Sequence, residues 1–200
     1  MSRLPNRTSQ DRGQAFPIYV VMVAGLLFLA FAFFAVGQAS ANRNGAQGAA
    51  DAAALAAAQD ARDKLAGAWL DDYLTDPTKW QDVFDGKLGL EGSSCPAATV
   101  FAEKNGADVD RCVPFWRPEL GYQVHVKSQQ PVGKSIIPGT EATFGTASAK
   151  AVVKPLCTFK LPEDLEILPR LNCKTGSWDL EDSLTGLPDA KDLFDVQLVD

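Results

Sequence analysis

The sequence predicts an α+β protein, with a long N-terminal transmembrane helix continuing into an alanine-rich helix and then a small antiparallel sheet domain with two disulfides. Three observations predict it. Ala15 to Val36 form one unbroken apolar run, and an alanine-rich stretch containing AADAAALAAA follows it. Further along, near residues 122–126 and 146–153, the apolar pattern changes to an alternation of period two. The expected division is a leader over 1–14, a membrane span over 15–38, an alanine-rich helix over 39–76 and an α+β domain over 77–200.

The 22 residues from Ala15 to Val36 would reach about 33 Å as a helix, enough to cross the ~30 Å hydrocarbon core of a bilayer. No charge interrupts the run. A helix apolar on every side needs lipid or a large protein around it, and the rest of this chain is too small and too polar to supply the second. Arg3, Arg7 and Arg12 precede the run against the single acid Asp11, so the N-terminus is expected in the cytoplasm. The protein is read as a single-pass cell-membrane protein with most of its chain extracytoplasmic. The alternative is a secretory signal cleaved at Ala39-Ser40-Ala41. The apolar region is much longer than the roughly 7 to 15 residues of such signals.

The net charge of −6 comes with no concentrated basic face, so no nucleic-acid partner is expected. Removing leader and span leaves enough chain for one modest core. Cys95, Cys112, Cys157 and Cys173 all fall on the extracytoplasmic side, where an even count reads as disulfides. Four cysteines allow three connectivities. Cys95–Cys112 with Cys157–Cys173 is preferred, because each closes a short loop for which the chain-entropy argument gives about 3 kcal/mol. Zinc is poorly supported, since no two cysteines stand at metal-ligand spacing and the one histidine, His125, cannot complete a site.

From Asn42 to Leu74 helix propensity is high. Gly45 and Gly48 each cost about 1 kcal/mol relative to alanine, which predicts a bend or a melted turn there. Leu55, Leu65, Trp69 and Tyr73 recur at helical spacing and predict a stripe packed on the soluble domain. The small face that includes Ala50, Ala53, Ala54 and Ala57 offers a second use, close approach by helices of neighbouring subunits. Asp76-Pro77 stops the helix. Trp80, Val83 and Phe84 suggest a short helical turn, and loops around Gly86, Gly89, Gly92 and Pro96 follow. Tyr122, Val124 and Val126 alternate with Gln123, His125 and Lys127 as a half-buried strand. Thr146 to Val153 reads as its antiparallel neighbour. The region after Pro155 reads as loops with one short helix.

Little in the chain suggests catalysis. His125 lies on the polar face of a strand with no nucleophile signature beside it. No nucleophile elbow, phosphate loop or zinc-protease helix is present. Asp71, Asp72 and Asp76, or Asp179, Glu181 and Asp182, offer oxygen ligands without an EF-hand pattern. No catalytic residue, metal, cofactor or small-molecule substrate is therefore expected.

The leader's end Asp11-Arg12-Gly13-Gln14-Ala15, the single span, Arg43, and the run from Gly48 to Ala58 resemble the N-terminal region of TadE/TadG-like proteins of the tight-adherence (Tad, Flp) pilus system. The strand ending Thr146-Ala147-Ser148-Ala149-Lys150-Ala151-Val152-Val153 is more loosely similar to that family's sheet. The resemblance covers about residues 11–60 and, loosely, 120–153. It implies a membrane-held pilin-like or pseudopilin-like subunit, or an assembly component, whose partners are the membrane, the pilus machinery and sibling subunits. It also implies a possible processing site, with Gly13 before the cut, Gln14 after it, and Tyr19 as the sixth residue of the cut chain. The fifth residue, Ile18, stands where Tad pilins carry a glutamate, which favours an uncut anchor. The alternative function is a membrane-tethered hydrolase or ligand-binding domain.

Overall fold

The computed structural model describes residues 15–131, 142–163, 168–180 and 186–200. Its dominant element is helix α1, Ala15–Ala68, 54 residues long, or about 80 Å at the rise of an α-helix. Helical structure passes through Gly45 and Gly48 without the expected melted turn. Each glycine faces open space, and the good helix formers on either side hold both in register. A π-helical turn, Trp69–Tyr73, ends the helix. Asp76 then caps helix α2, Pro77–Phe84, by accepting from the Thr78 amide, with Pro77 at its first position. The proline that cannot continue one helix thus starts the next, where its missing N–H costs nothing.

Helix α3, Cys95–Lys104, and strand β1, Ala107–Phe115, follow. Strands β2, Gly121–Pro131, and β3, Phe144–Pro155, are the two alternating segments of the sequence. They pair antiparallel, with Tyr122 opposite Ala151, Val124 opposite Ala149 and Val126 opposite Ala147. A small sheet of β4, Cys157–Thr158, β5, Leu171–Cys173, and β6, Ser177–Trp178, comes next. The chain closes with a short helix α4, Ala190–Leu193, and strand β7, Phe194–Val199. The main sheet has the order β1-β2-β3-β7. The regions read as loops in the sequence therefore contain α3, β1 and β7.

One core joins the outer part of α1 to the sheet. Tyr122, Val124, Val126, Ala149, Ala151 and Val153 are buried on one sheet face, while Gln123, His125 and Lys127 between them are half-buried or exposed. This is the period-two partition of a sheet with one covered face. The cover is α1, which packs on β3, β2, β7 and α3. Ala50, Ala53, Ala54 and Ala57 are each 0% exposed. The small face suggested for neighbouring subunits is thus occupied by the chain's own elements, because side chains this short let a sheet lie close along a helix. At the far end Trp69, Trp80, Phe84, Phe159 and Phe194 form an aromatic cluster with centroid separations of 5.1 to 6.2 Å. Two glycines permit close approaches. Gly89 has φ +85° with Ala68 against it, and a Cβ on Gly121 would collide with the Phe115 ring and the Ala151 carbonyl oxygen.

Candidate functional site: the exposed apolar stem

The first half of α1 has no protein around it. Phe16–Gly37 has a mean hydropathy of 2.7, and none of its most apolar window is buried. Phe16, Phe28 and Phe33 are each more than 70% exposed. Apolar surface this extensive is not left to water by a folded protein, so it marks an interaction site. By length and composition it is one helix able to cross a membrane. Tyr19 and Ile18 lie on this stem, 69% and 62% exposed. Gly13 and Gln14, the other two residues of the possible processing site, lie outside the described residues.

Both disulfides are formed, in the pairing preferred from loop length. Cys95–Cys112 ties the start of α3 to the middle of β1, with a Cα–Cα distance of 5.9 Å and a sequence separation of 17. Cys157–Cys173 joins residues that face each other across β4 and β5. Four cysteines account for two staples and leave none free.

Several polar groups of the domain are engaged with one another, while the Trp69 Nε1 is buried without a hydrogen-bond partner among the described residues. His125 is half-buried on the outer sheet face, in a shallow cavity with Asp110 and Ser148. One groove lies between α1, β3 and β7. There Gln47 Nε2 donates to Asp51 Oδ1 at 2.8 Å and to the Ser148 carbonyl at 3.4 Å, and Lys150 Nζ donates to the Asp200 carbonyl at 3.1 Å. Among the described residues no three His, Cys, Asp or Glu side chains come together. Of the carboxylates considered for calcium, Asp76 serves as the α2 cap, and Glu181 and Asp182 lie outside the described residues.

Ion pairs on the outer part of α1 and just past the end of α2 set the local electrostatics. Burial works against the Asp60 charge, but the Lys64 ammonium, 2.7 Å away, and the Ser94 hydroxyl together more than offset it and hold the carboxyl below the usual carboxylate range. The Asp85 carboxyl is lowered chiefly by the hydrogen bond from Lys87, at 2.8 Å, and Lys87 is raised in return by Asp85 and then Asp82. These groups point into solvent beside the core.

The family described as "Tad: Putative Flp pilus-assembly TadE/G-like" matches residues 13–60. The match takes in the whole span and the alanine-rich helix as far as Asp60. The sheet domain, with the looser likeness at 120–153, lies outside it. No curated protein and no solved structure matches the chain. Through residues 13–60 the chain is similar to the TadE/G-like family of Flp pilus assembly.

Proposed function

We propose that the protein is a membrane-anchored component of a Tad-type pilus, a minor pilin, a pseudopilin or an assembly subunit, that acts by helix packing and surface contact and not by catalysis. The N-terminus lies in the cytoplasm, because Arg3, Arg7 and Arg12 precede the span. The disulfide-bonded domain then lies in an oxidising extracytoplasmic space, as two structural disulfides require.

The observation that carries this reading is the division of labour within α1. Its first half is uncovered and wholly apolar, and its second half is the core of the folded domain. A continuous helix shared in this way couples membrane and domain as one rigid stem. With the alanine face filled from within, Phe16–Gly37 is the apolar surface through which sibling subunits or pilus machinery pack in the bilayer. Close van der Waals fit drives such packing there. Ile18 offers no carboxylate to neutralise a neighbour's freed amino terminus in hydrocarbon, so the protein remains an uncut anchor.

Mass spectrometry of the mature N-terminus, on membrane and sheared-surface fractions, tests this reading. Met1 or Ser2 in the membrane fraction is the expected result. Gln14 in sheared filaments would make the protein a processed pilin and overturn retention. Asn42 in the medium would mean secretion and sink the pilus reading.

A further inference from the structure

The main sheet has two outer strands, and their free edges differ. Strand β1 carries Pro114, a register slip between Val109 and Arg111, and the exposed charges of Asp108, Asp110 and Arg111, features that deter pairing with another chain. Strand β7 contains no proline, and its register with β3 is unbroken. Among the described residues it pairs with β3 alone.

The ladder shows which backbone groups of β7 are left over. The Val153 N–H donates to the Leu120 carbonyl, on the β2 side, and the Leu156 N–H, just past β3, donates to the Leu193 carbonyl, on the β7 side. Even-numbered residues of β3 therefore face β7, because the direction alternates along a strand. Their partners Asp195, Gln197 and Val199 face back to β3, so Val196 and Leu198 turn both N–H and C=O to the open edge. Among the described residues none of these groups has a backbone partner.

The side chains leave the same corner unfinished. Val196 and Leu198 stand opposite Val153 and Ala151, which are buried on the face covered by α1, so both point to that face. Leu198 is nevertheless 43% exposed. It borders the groove that holds Gln47 and Asp51 of α1. Asp51 accepts from Gln47 and forms no ion pair among the described residues, since Lys150 of the same groove turns to the Asp200 carbonyl.

A second copy does not suit this edge. Two β7 strands pair antiparallel about a two-fold axis perpendicular to the sheet. Helix α1 lies along the sheet, packing across β2, β3 and β7, so that axis reverses it, and the two stems would enter a membrane from opposite sides. The β1 edge of a neighbour would present its slipped register and Pro114.

We infer that the free edge of β7 is a docking site for an extended segment of a different protein, added as a further antiparallel strand with an apolar residue over Leu198 and a lysine or arginine directed to Asp51. Backbone bonds to Val196 and Leu198 supply the affinity, and those two side chains supply the selectivity. The choice of a foreign strand over a second copy rests on the membrane-anchor reading above.

The test uses full-length protein purified from membranes in detergent. The probe is a fluorescein-labelled synthetic peptide in which valine alternates with threonine and one valine is replaced by lysine. Fluorescence anisotropy reads binding, and backbone amide exchange followed by NMR reads the site. The peptide should slow exchange at Val196 and Leu198, whereas Asp195, Gln197 and Val199 should be slow without it. Val196→Pro removes one outward N–H and leaves the bonds to β3 in place, so it should weaken binding about tenfold or more, and Val196→Thr should not. Asp51→Lys should weaken binding of this peptide and strengthen that of one with glutamate in place of the lysine, a reversal that holds even where the proline variant fails to fold. No binding, or binding indifferent to both Val196→Pro and Asp51→Lys, overturns the docking site and leaves the anchor standing. Slow exchange at Val196 and Leu198 before peptide is added also overturns it: dimers by light scattering would give the edge to a second copy, and monomers would give it to the chain itself. Protein that alkali extracts from the membrane overturns the anchor, and with it the exclusion of a second copy.

Discussion

The indole of Trp80 meets that of Trp69 edge-on, with ring centroids 5.1 Å apart and planes inclined by 69°. Trp80 also donates from Nε1 to the Tyr73 carbonyl at 2.8 Å. The contact therefore grips the π-helical end of the stem from α2, and a rotation of the stem cannot occur without moving the domain. Edge-to-face pairs add about 0.5–1.5 kcal/mol beyond the area they bury.

Trp69 is 0% exposed and touches both Trp80 and Phe84, so its truncation opens a cavity in the part of the core that holds the stem. Trp69→Ala should cost about 3–5 kcal/mol of stability. Trp69→Phe, which keeps an aromatic edge, should cost less. Denaturant titration of the detergent-solubilised full chain, followed by circular dichroism, gives both values. Equal losses for the two variants would show that the cavity does not set the cost.

The alanine face gives a second prediction. Ala54 is buried within the domain at 0% exposure, whereas Gln59 on the same helix is exposed. Ala54→Leu must push the helix and the elements packed on it apart and should cost about 1–3 kcal/mol or more, while Gln59→Leu should stay within about 0.5 kcal/mol. If that face served only contacts between subunits, Ala54→Leu would leave the monomer's melting curve unchanged and alter association alone.

The same face marks where sequence reading succeeded and where it stopped. Length and hydropathy made the stem legible, and strict alternation made β2 and β3 legible as partners, because one sheet face is covered and the other is wet. The sequence could not show which surface covers a face of small residues. Alanine at helical spacing suits a sibling helix and a sheet equally, and only the tertiary structure shows Ala50, Ala53, Ala54 and Ala57 buried by the chain's own elements. Strand β1 was hidden for a different reason. Its register slips between Val109 and Arg111, and the inserted Asp110 breaks the alternation that betrays a strand. Helix α3 buries only Ala98 and Ala102, too little apolar surface to write a helical period. In β7 the alternation of Phe194, Val196 and Leu198 was present, but the acidic, proline-punctuated surroundings masked it. The disulfide pairing followed from loop length alone, and both bridges formed accordingly.

Those bridges close loops of nearly equal length, with separations of 17 and 16. Chain entropy therefore predicts a similar loss for each, about 3 kcal/mol. The double replacements Cys95→Ser/Cys112→Ser and Cys157→Ser/Cys173→Ser should lower the unfolding free energy by comparable amounts. They should also make the remaining stability insensitive to reductant at that site. A wild-type melting temperature that does not change when dithiothreitol is added would contradict a structural role for both. Peptide mapping under non-reducing conditions checks the pairing itself.

The Asp60–Lys64 pair yields a pH dependence whose sign can be worked out. The Asp60 carboxyl is held below its ordinary value in the folded chain, so the folded state binds its proton more weakly than the unfolded state does. Its contribution is complete above the unfolded value, near 4. It fades as pH falls through the lower folded value. The carboxylate precedes the ammonium by one helical turn, the favourable order for such a pair. Because about a third of each side chain is exposed, solvent and salt screen the pair, which limits it to a few tenths of a kcal/mol. Asp60→Asn should therefore lower stability slightly at neutral pH and converge on wild type in acid, and added salt should shrink the neutral-pH gap. Paired denaturation curves across that range, at low and high ionic strength, measure it. A gap that widens as pH falls would mean that burial, and not Lys64, dominates at Asp60.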